Sequence, residues 1–212
     1  VGRFVENEMM RNIIGQTKSG FNFREIMDEK KILLVNLSKG KTGDVNAELL
    51  GLVIVSKLQM AALTRADLPE EQRHDFYLYI DEFQNFITDS IATILSEARK
   101  YRLNLIIAHQ YMGQLVQNNE TKIRDAVLGN AGTMVAFRIG VEDAEVLAKE
   151  FAPVFNAYDL VNTEKFTAYI KLLVDNTAVR PFSMNSIPLQ KGDRQKAEAI
   201  KQLSRLKYGR DR

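Results

Sequence analysis

The feature that most limits what this chain can become is the run Phe76-Tyr77-Leu78-Tyr79-Ile80-Asp81-Glu82-Phe83-Gln84-Asn85, five apolar residues that end in two adjacent carboxylates. Such a segment reads as a strand entering a polar turn, and two acids placed directly after it cost stability unless a cation compensates them. Neighbouring side chains at a strand's end diverge toward different targets. One acid can then face a Mg²⁺ shell and the other an attacking water, which is the division of labour in nucleotide hydrolysis. The plainer alternative is an edge strand running into a polar loop.

Two further polar groups follow. Ile87, Ile91, Ile94, Leu95 and Ala98 recur at helical spacing, which predicts a helix over about residues 90–101 with one buried face. Arg99 falls about 100° from the centre of that face at 3.6 residues per turn, at the margin from which a guanidinium reaches a neighbouring subunit. A second strand is predicted over 103–108, and just beyond it Gln110 offers an uncharged group able to sense a γ-phosphate or hold a water.

The blocks FYLYIDEFQNF, ILSEARKYRLNLIIAHQ and AVLGNAGTMVAFRIG together resemble the hexameric, RecA-like P-loop motor ATPases of the HerA/FtsK superfamily. Within it the chain is most similar to the type IV secretion coupling proteins of the TraG/TraD kind, which pump DNA during conjugation. The resemblance extends over about residues 11–188. It implies a RecA-like three-layer α/β/α fold with a mostly parallel sheet, of which this chain is the C-terminal half. By position it implies Asp81 as the Walker B acid that meets Mg²⁺ through water, Glu82 as catalytic base, Arg99 as arginine finger and Gln110 as sensor. ATP and Mg²⁺ are the implied cofactors. The implied partners are DNA, further copies in a ring, expected to be a hexamer, and secretion-system proteins. The implied function is the Walker B part of an ATP-driven DNA translocase of a conjugative type IV secretion system. Two alternatives stay open: another secretion or HerA-like ATPase, and a non-hydrolytic DNA- or protein-binding fragment.

One departure from the family pattern is large. A phosphate-binding loop needs Gly, four residues, then Gly-Lys-Ser/Thr, so that backbone amides and the Lys embrace the phosphates. Gly40-Lys41-Thr42 ends such a pattern, but Val35 stands where the first Gly belongs. A basic turn after a strand over 31–37 is the simpler reading. The loop is therefore expected upstream of Val1, and the chain alone is expected to bind ATP weakly and to turn it over negligibly.

Composition sets the remaining bounds. With 212 residues, 45% of them hydrophobic, the chain can bury a sizeable core. The absence of cysteine excludes disulfides and thiolate metal sites, and His74 and His109 lack the spacing of a zinc pair. His109, beside Gln110, lines a nucleotide pocket or simply packs. The longest apolar stretch, 49–63, is interrupted by Ser56, Lys57 and Gln59 and is short for a bilayer span. A cytoplasmic location follows, with any attachment to the inner face of the membrane made by segments absent here. Net charge is +2, divided into +5 from Lys191 onward and −3 before it. The chain is thus read as an ATPase part over 1–190 and a basic helical tail over 191–212. In that tail Ala197, Ile200, Leu203 and Leu206 form an apolar stripe able to dock on the domain or a neighbour, while its cations suit phosphate backbones.

The rest alternates helix and strand. Helices are predicted over 6–14, 45–64 and 141–151, a polar connection over 65–75, a mobile loop facing a channel over 114–124, and a strand over 132–139. Strands over 166–174 and 179–184 form a hairpin about Asp175-Asn176-Thr177. The turn Gly129-Asn130-Ala131-Gly132-Thr133 permits tight backbone geometry. Lys18, Arg24, Lys39 and Lys41 line a pore or are ordinary surface cations, and Arg138 is a second cation near phosphate or one half of an ion pair.

Overall fold

The computed structural model describes residues 7–37, 40 and 43–209, without the side chains at 89, 90 and 92. The chain divides into two compact units, one of residues 1–79, 97–106 and 191–212 and one of 80–96 and 107–190. Lys39, Lys41 and Thr42, and with them the end of the incomplete phosphate-loop pattern, lie outside the described residues.

Helices α1 (Glu8–Ile14), α2 (Phe23–Asp28), α3 (Asp44–Thr64) and α8 (Arg194–Tyr208) belong to the first unit. Asn7, Asn22 and Asp193 start α1, α2 and α8 by accepting from backbone N–H groups inside the first turn, which satisfies donors that a helix leaves orphaned. By length and apolar content α3 meets the usual measure of a bilayer span, contrary to the reading of 49–63 as too short. Seven of its residues, among them Leu50, Val55, Leu58 and Ala62, are buried, and Lys57 projects at its middle. A third of the apolar window is thus buried, while Val53, Met60 and Leu63 are exposed. Segment 31–37, predicted as a strand, joins no ladder: Ile32 and Leu34 are 88% and 81% exposed. A strand exists only by virtue of a partner, and an apolar run does not supply one.

Arg65, in what the sequence presents as a polar connection, is fully buried in this unit. Its Nε donates to Asp28 Oδ1 at 3.0 Å, Nη1 to Tyr101 O at 2.9 Å and Nη2 to His74 O at 2.5 Å. One guanidinium thus ties α2, the approach to the first strand, and the 3-10 turn Ala98–Tyr101. Arg24 also binds Asp28, and its Nη2 donates to Asp67 at 2.8 Å. The guanidinium is held above its usual range first by the Asp67 bond and next by Asp28. Arg24 is therefore an internal strut and not a pore cation.

Strands β1 (Phe76–Ile80) and β2 (Leu103–Ile107) begin in the first unit and end in the second. Phe76 N–H donates to Arg102 O (2.8 Å) at both strand starts and Ala108 N–H to Ile80 O (3.0 Å) at both ends, so the two run parallel. The second unit adds α4 (Asp89–Glu97), α5 (Lys122–Asn130), α6 (Val141–Phe151) and α7 (Ala157–Val161). It also holds an antiparallel sheet, β3 (Met134–Ala136), β4 (Thr167–Lys171) and β7 (Phe182–Asn185), in the order β3-β4-β7. Between β4 and β7, β5 (Leu173–Val174) and β6 (Thr177–Ala178) close a hairpin around Asp175 and Asn176, both left-handed at φ 49° and 58°. Ala136, Ala144, Phe151 and Leu160 form the core cluster under this sheet, with Phe155 tilted against Tyr169.

In place of the expected mostly parallel sheet the described residues form three small sheets, one of them a parallel pair and two antiparallel. β5 and β6 are joined by a short turn, which permits only antiparallel pairing, whereas β3 and β4 meet across two intervening helices. The predicted helix over 90–101 ends at Glu97 and continues as a 3-10 turn. Asn130 still belongs to α5, so the glycine turn is shorter than expected. At Gly132 a Cβ would lie 2.8 Å from the end of the exposed Leu173 side chain, which would have to shift. The stripe on α8 does not dock within the chain, since Ile200, Leu203 and Leu206 are exposed. Arg138 is exposed and has no ion pair among the described residues.

Candidate nucleotide site

The site is built where β1 runs out. Ala108 N–H donates to Ile80 O at 3.0 Å, and Ala108 O accepts from Phe83 N–H at 2.9 Å. One residue of the second strand therefore holds both ends of the gap, and Asp81 and Glu82 are looped out between the two bonds. Phe83, fully buried, anchors the far side of the loop. The geometry requires Glu82 at φ 50°, ψ 48°, a left-handed conformation that an L-residue adopts at a cost of about 1–2 kcal/mol. Strain of this kind in a non-glycine residue is concentrated at functional positions.

The looped pair is ordered by hydrogen bonds. Asp81 Oδ1 accepts from Glu82 N–H at 3.0 Å, and the Asp81 side is exposed. Glu82 Oε1 accepts from Gln110 Nε2 at 3.0 Å, and Oε2 from Gln84 Nε2 at 2.6 Å. Gln110 is itself held: its N–H and that of Tyr111 both donate to Gln114 Oε1, at 2.9 and 3.3 Å. The next N–H, that of Met112, donates to both carboxylate oxygens of Asp143 at 3.1 Å. Asp143 is buried in the first turn of α6, where the helix N-terminus favours a negative charge. His109 turns its Nδ1 to Tyr111 O at 3.2 Å, a local contact within the same loop.

Of the four residues singled out by sequence, the structure brings Asp81, Glu82 and Gln110 together in the second unit. Arg99 lies in the first unit, on the 3-10 turn Ala98–Tyr101, with an exposed side chain. Two buttresses fix that turn within its unit: Arg65 on Tyr101 O, and Arg73 Nη1 on Lys100 O at 2.5 Å. Sequence reasoning missed Gln84, Gln114 and Asp143. Gln84 stands two residues after Glu82 in the most informative run, so proximity is its only signal; Asp143 shows in the sequence only as an acid at a helix start. The segment expected as a mobile loop is a 3-10 turn at Met112–Leu115, followed by a tight turn closed by Gln117 and Glu120 with Asn118 and Asn119 left-handed.

Among the described residues no three His, Cys, Asp or Glu side chains are grouped so as to hold a metal ion. A single exposed carboxylate such as Asp81 nonetheless suits Mg²⁺, which keeps several waters and takes one or two carboxylates together with substrate phosphates. Asp81 and Glu82 thus fit the carboxylate half of a Mg²⁺-nucleotide site. The described residues include no glycine-rich phosphate loop.

Comparison with solved structures shows that the chain shares a mixed α/β fold with plasmid coupling proteins. The plasmid coupling protein TrwB in complex with ADP and Mg²⁺ matches with a TM-score of 0.56 and 18% identity, over 74% of this chain and 39% of that one. TrwB with the non-hydrolysable GTP analogue GDPNP gives 0.55 and 18% over the same shares. The bacterial conjugative coupling protein TrwBΔN70 in an unbound form gives 0.53 and 17%, over 67% of this chain and 38% of that one. At these identities the likeness is one of fold, and the chain spans about two fifths of the length of these proteins. No curated protein matches the chain. Residues 75–167, which contain Asp81, Glu82, Arg99 and Gln110, match the family described as the TraM recognition site of TraD and TraG. Over that segment, a little under half of the chain, the sequence is similar to the TraD and TraG family.

Proposed function

We propose that this chain carries the Walker B side of the nucleotide site in an ATP-driven DNA translocase, a coupling ATPase of a conjugative type IV secretion system. The observation that carries the reading is the looped-out acid pair at the end of β1, with Gln110 of the adjoining strand end 3.0 Å from Glu82. Bound ATP and Mg²⁺ supply the transferable phosphoryl group and the charge that offsets it. Asp81 would meet the Mg²⁺ shell when the metal is bound. Glu82 takes a proton from the attacking water, and Gln110 links the γ-phosphate position to the loop that follows it. Arg99 of a neighbouring copy steadies transition-state charge, which calls for a ring, in keeping with a hexamer. DNA is the cargo and partner of that ring, and the TraM recognition family at 75–167 supports a second, protein partner of the TraM type.

The test uses a protein in which this chain is joined to a Gly-x4-Gly-Lys-Ser/Thr loop. Glu82→Gln should retain binding of ATP with Mg²⁺ and lose DNA-stimulated hydrolysis by at least about 100-fold, because the amide keeps the shape of the carboxylate but cannot accept the proton. Hydrolysis at the unsubstituted rate would remove Glu82 from the role of base.

A further inference from the structure

We propose that Gln84 is a positioning residue for Glu82, fixing one carboxylate oxygen so that the other is the one that meets water. The proposal rests on the reading of Glu82 as base and concerns how that base is aimed.

The two oxygens of Glu82 are held by different parts of the fold. Oε1 accepts from Gln110, which follows β2, whereas Oε2 accepts from Gln84 at 2.6 Å, on the 3-10 turn Phe83–Phe86 that follows the acid directly. That turn is firmly set. Phe83 is fully buried and donates its N–H to Ala108 O at 2.9 Å, and Asn85 N–H donates to Glu82 O at 3.0 Å. The Gln84 donor therefore arrives from a fixed backbone, and its bond is the shorter of the two.

The other end of the same amide shows that packing alone does not account for the residue. Gln84 Oε1 is buried and has no hydrogen-bond partner among the described residues. A buried acceptor left unpaired is unfavourable, and an apolar side chain of equal length would avoid it. Exchanging the amide's nitrogen and oxygen would set Oε1 against the Glu82 carboxylate, so only the observed orientation is attractive. The gain that offsets the unpaired oxygen is the charge-assisted bond to Glu82. The only charged neighbour on the same loop, Asp81, directs Oδ1 to the Glu82 backbone N–H.

The two glutamines then divide the work. Gln110 sits on a loop tied to Gln114 and Asp143 and is the amide able to exchange Glu82 for a phosphate oxygen. When it does, Oε1 is released toward water while Gln84 keeps Oε2 in place.

The deciding experiment uses the protein in which this chain is joined to a Gly-x4-Gly-Lys-Ser/Thr loop. Gln84→Met keeps length and removes the donor; it should lower kcat about tenfold with KM for ATP unchanged. Should Gln84→Met fail to fold, Gln84→Asn, which draws the amide back, is read by the same criterion. Full kcat in a folded variant, where Glu82→Gln is inactive, overturns the positioning role alone. Full activity of Glu82→Gln overturns the base reading and, with it, this role.

Discussion

Replacing Arg65 with methionine probes the first unit where it is most tightly specified. The substitution keeps an unbranched side chain and removes three hydrogen bonds, to Asp28 Oδ1, Tyr101 O and His74 O. The two carbonyls, each in a part-buried hydrogen bond, would lose a charged donor, and an acceptor so stranded costs up to about 1–3 kcal/mol. Asp28 is a smaller part of the loss: its side chain is 30% exposed and retains Arg24, so solvent and the second cation compensate it. Water entering beside the shorter side chain recovers some of the carbonyl cost. The expected net loss is about 3 kcal/mol, within the range of about 3–5 kcal/mol for breaking a buried ion pair from one side. For a urea slope of about 2 kcal/mol per molar, that lowers the midpoint by about 1.5 M. Because the chain has two units, the assay should report on the first alone: hydrogen exchange of the α3 amides, read against urea, does so. A drop below about 0.5 M would refute the reasoning, showing that the carbonyls find water at little cost.

Two further outcomes follow from the geometry. In rings assembled from Arg99→Ala and Glu82→Gln subunits, each inactive alone, interfaces that pair an intact Glu82 with an intact Arg99 reappear, so ATPase activity should recover in part; no recovery at any ratio in confirmed mixed rings would count against Arg99 acting across subunits. At α5 the Asp125 carboxyl is held below its usual range first by the Thr121 hydroxyl and next by Arg124, so its contribution is present above the ordinary aspartate value and lost as pH falls through the lowered one. Thr121→Val should raise the Asp125 titration midpoint, and an unchanged NMR titration would sink that assignment.

What was legible in the sequence divides along physical lines. Helix α6 was readable to its ends because Glu142 and Asp143 stand at its start and its apolar spacing is regular, both local signals. The hairpin about Asp175 and Asn176 was equally local, since those residues tolerate left-handed geometry. Strand partnership is not local. Lys31 to Leu37 has strand composition and no ladder, and β3 pairs with β4 across more than thirty positions, as in Met134 opposite Lys171. At the site, the acid pair and Gln110 were legible because strand ends announce themselves. Arg65 was hidden in a polar stretch because two of its three partners are backbone carbonyls, which carry no sequence signature. Asp143 was hidden for the same reason, its partner being the N–H of Met112.

The left-handed turn at Glu82 has an evolutionary corollary. Glycine or asparagine would occupy that conformation with less strain, so selection for folding alone pushes the position away from glutamate. A lineage that kept the segment as a docking module and gave up hydrolysis would be free to drift there, and the drift would have a direction. Glycine or asparagine at this one position would then be the mark of a descendant that has stopped burning nucleotide, readable from a single codon.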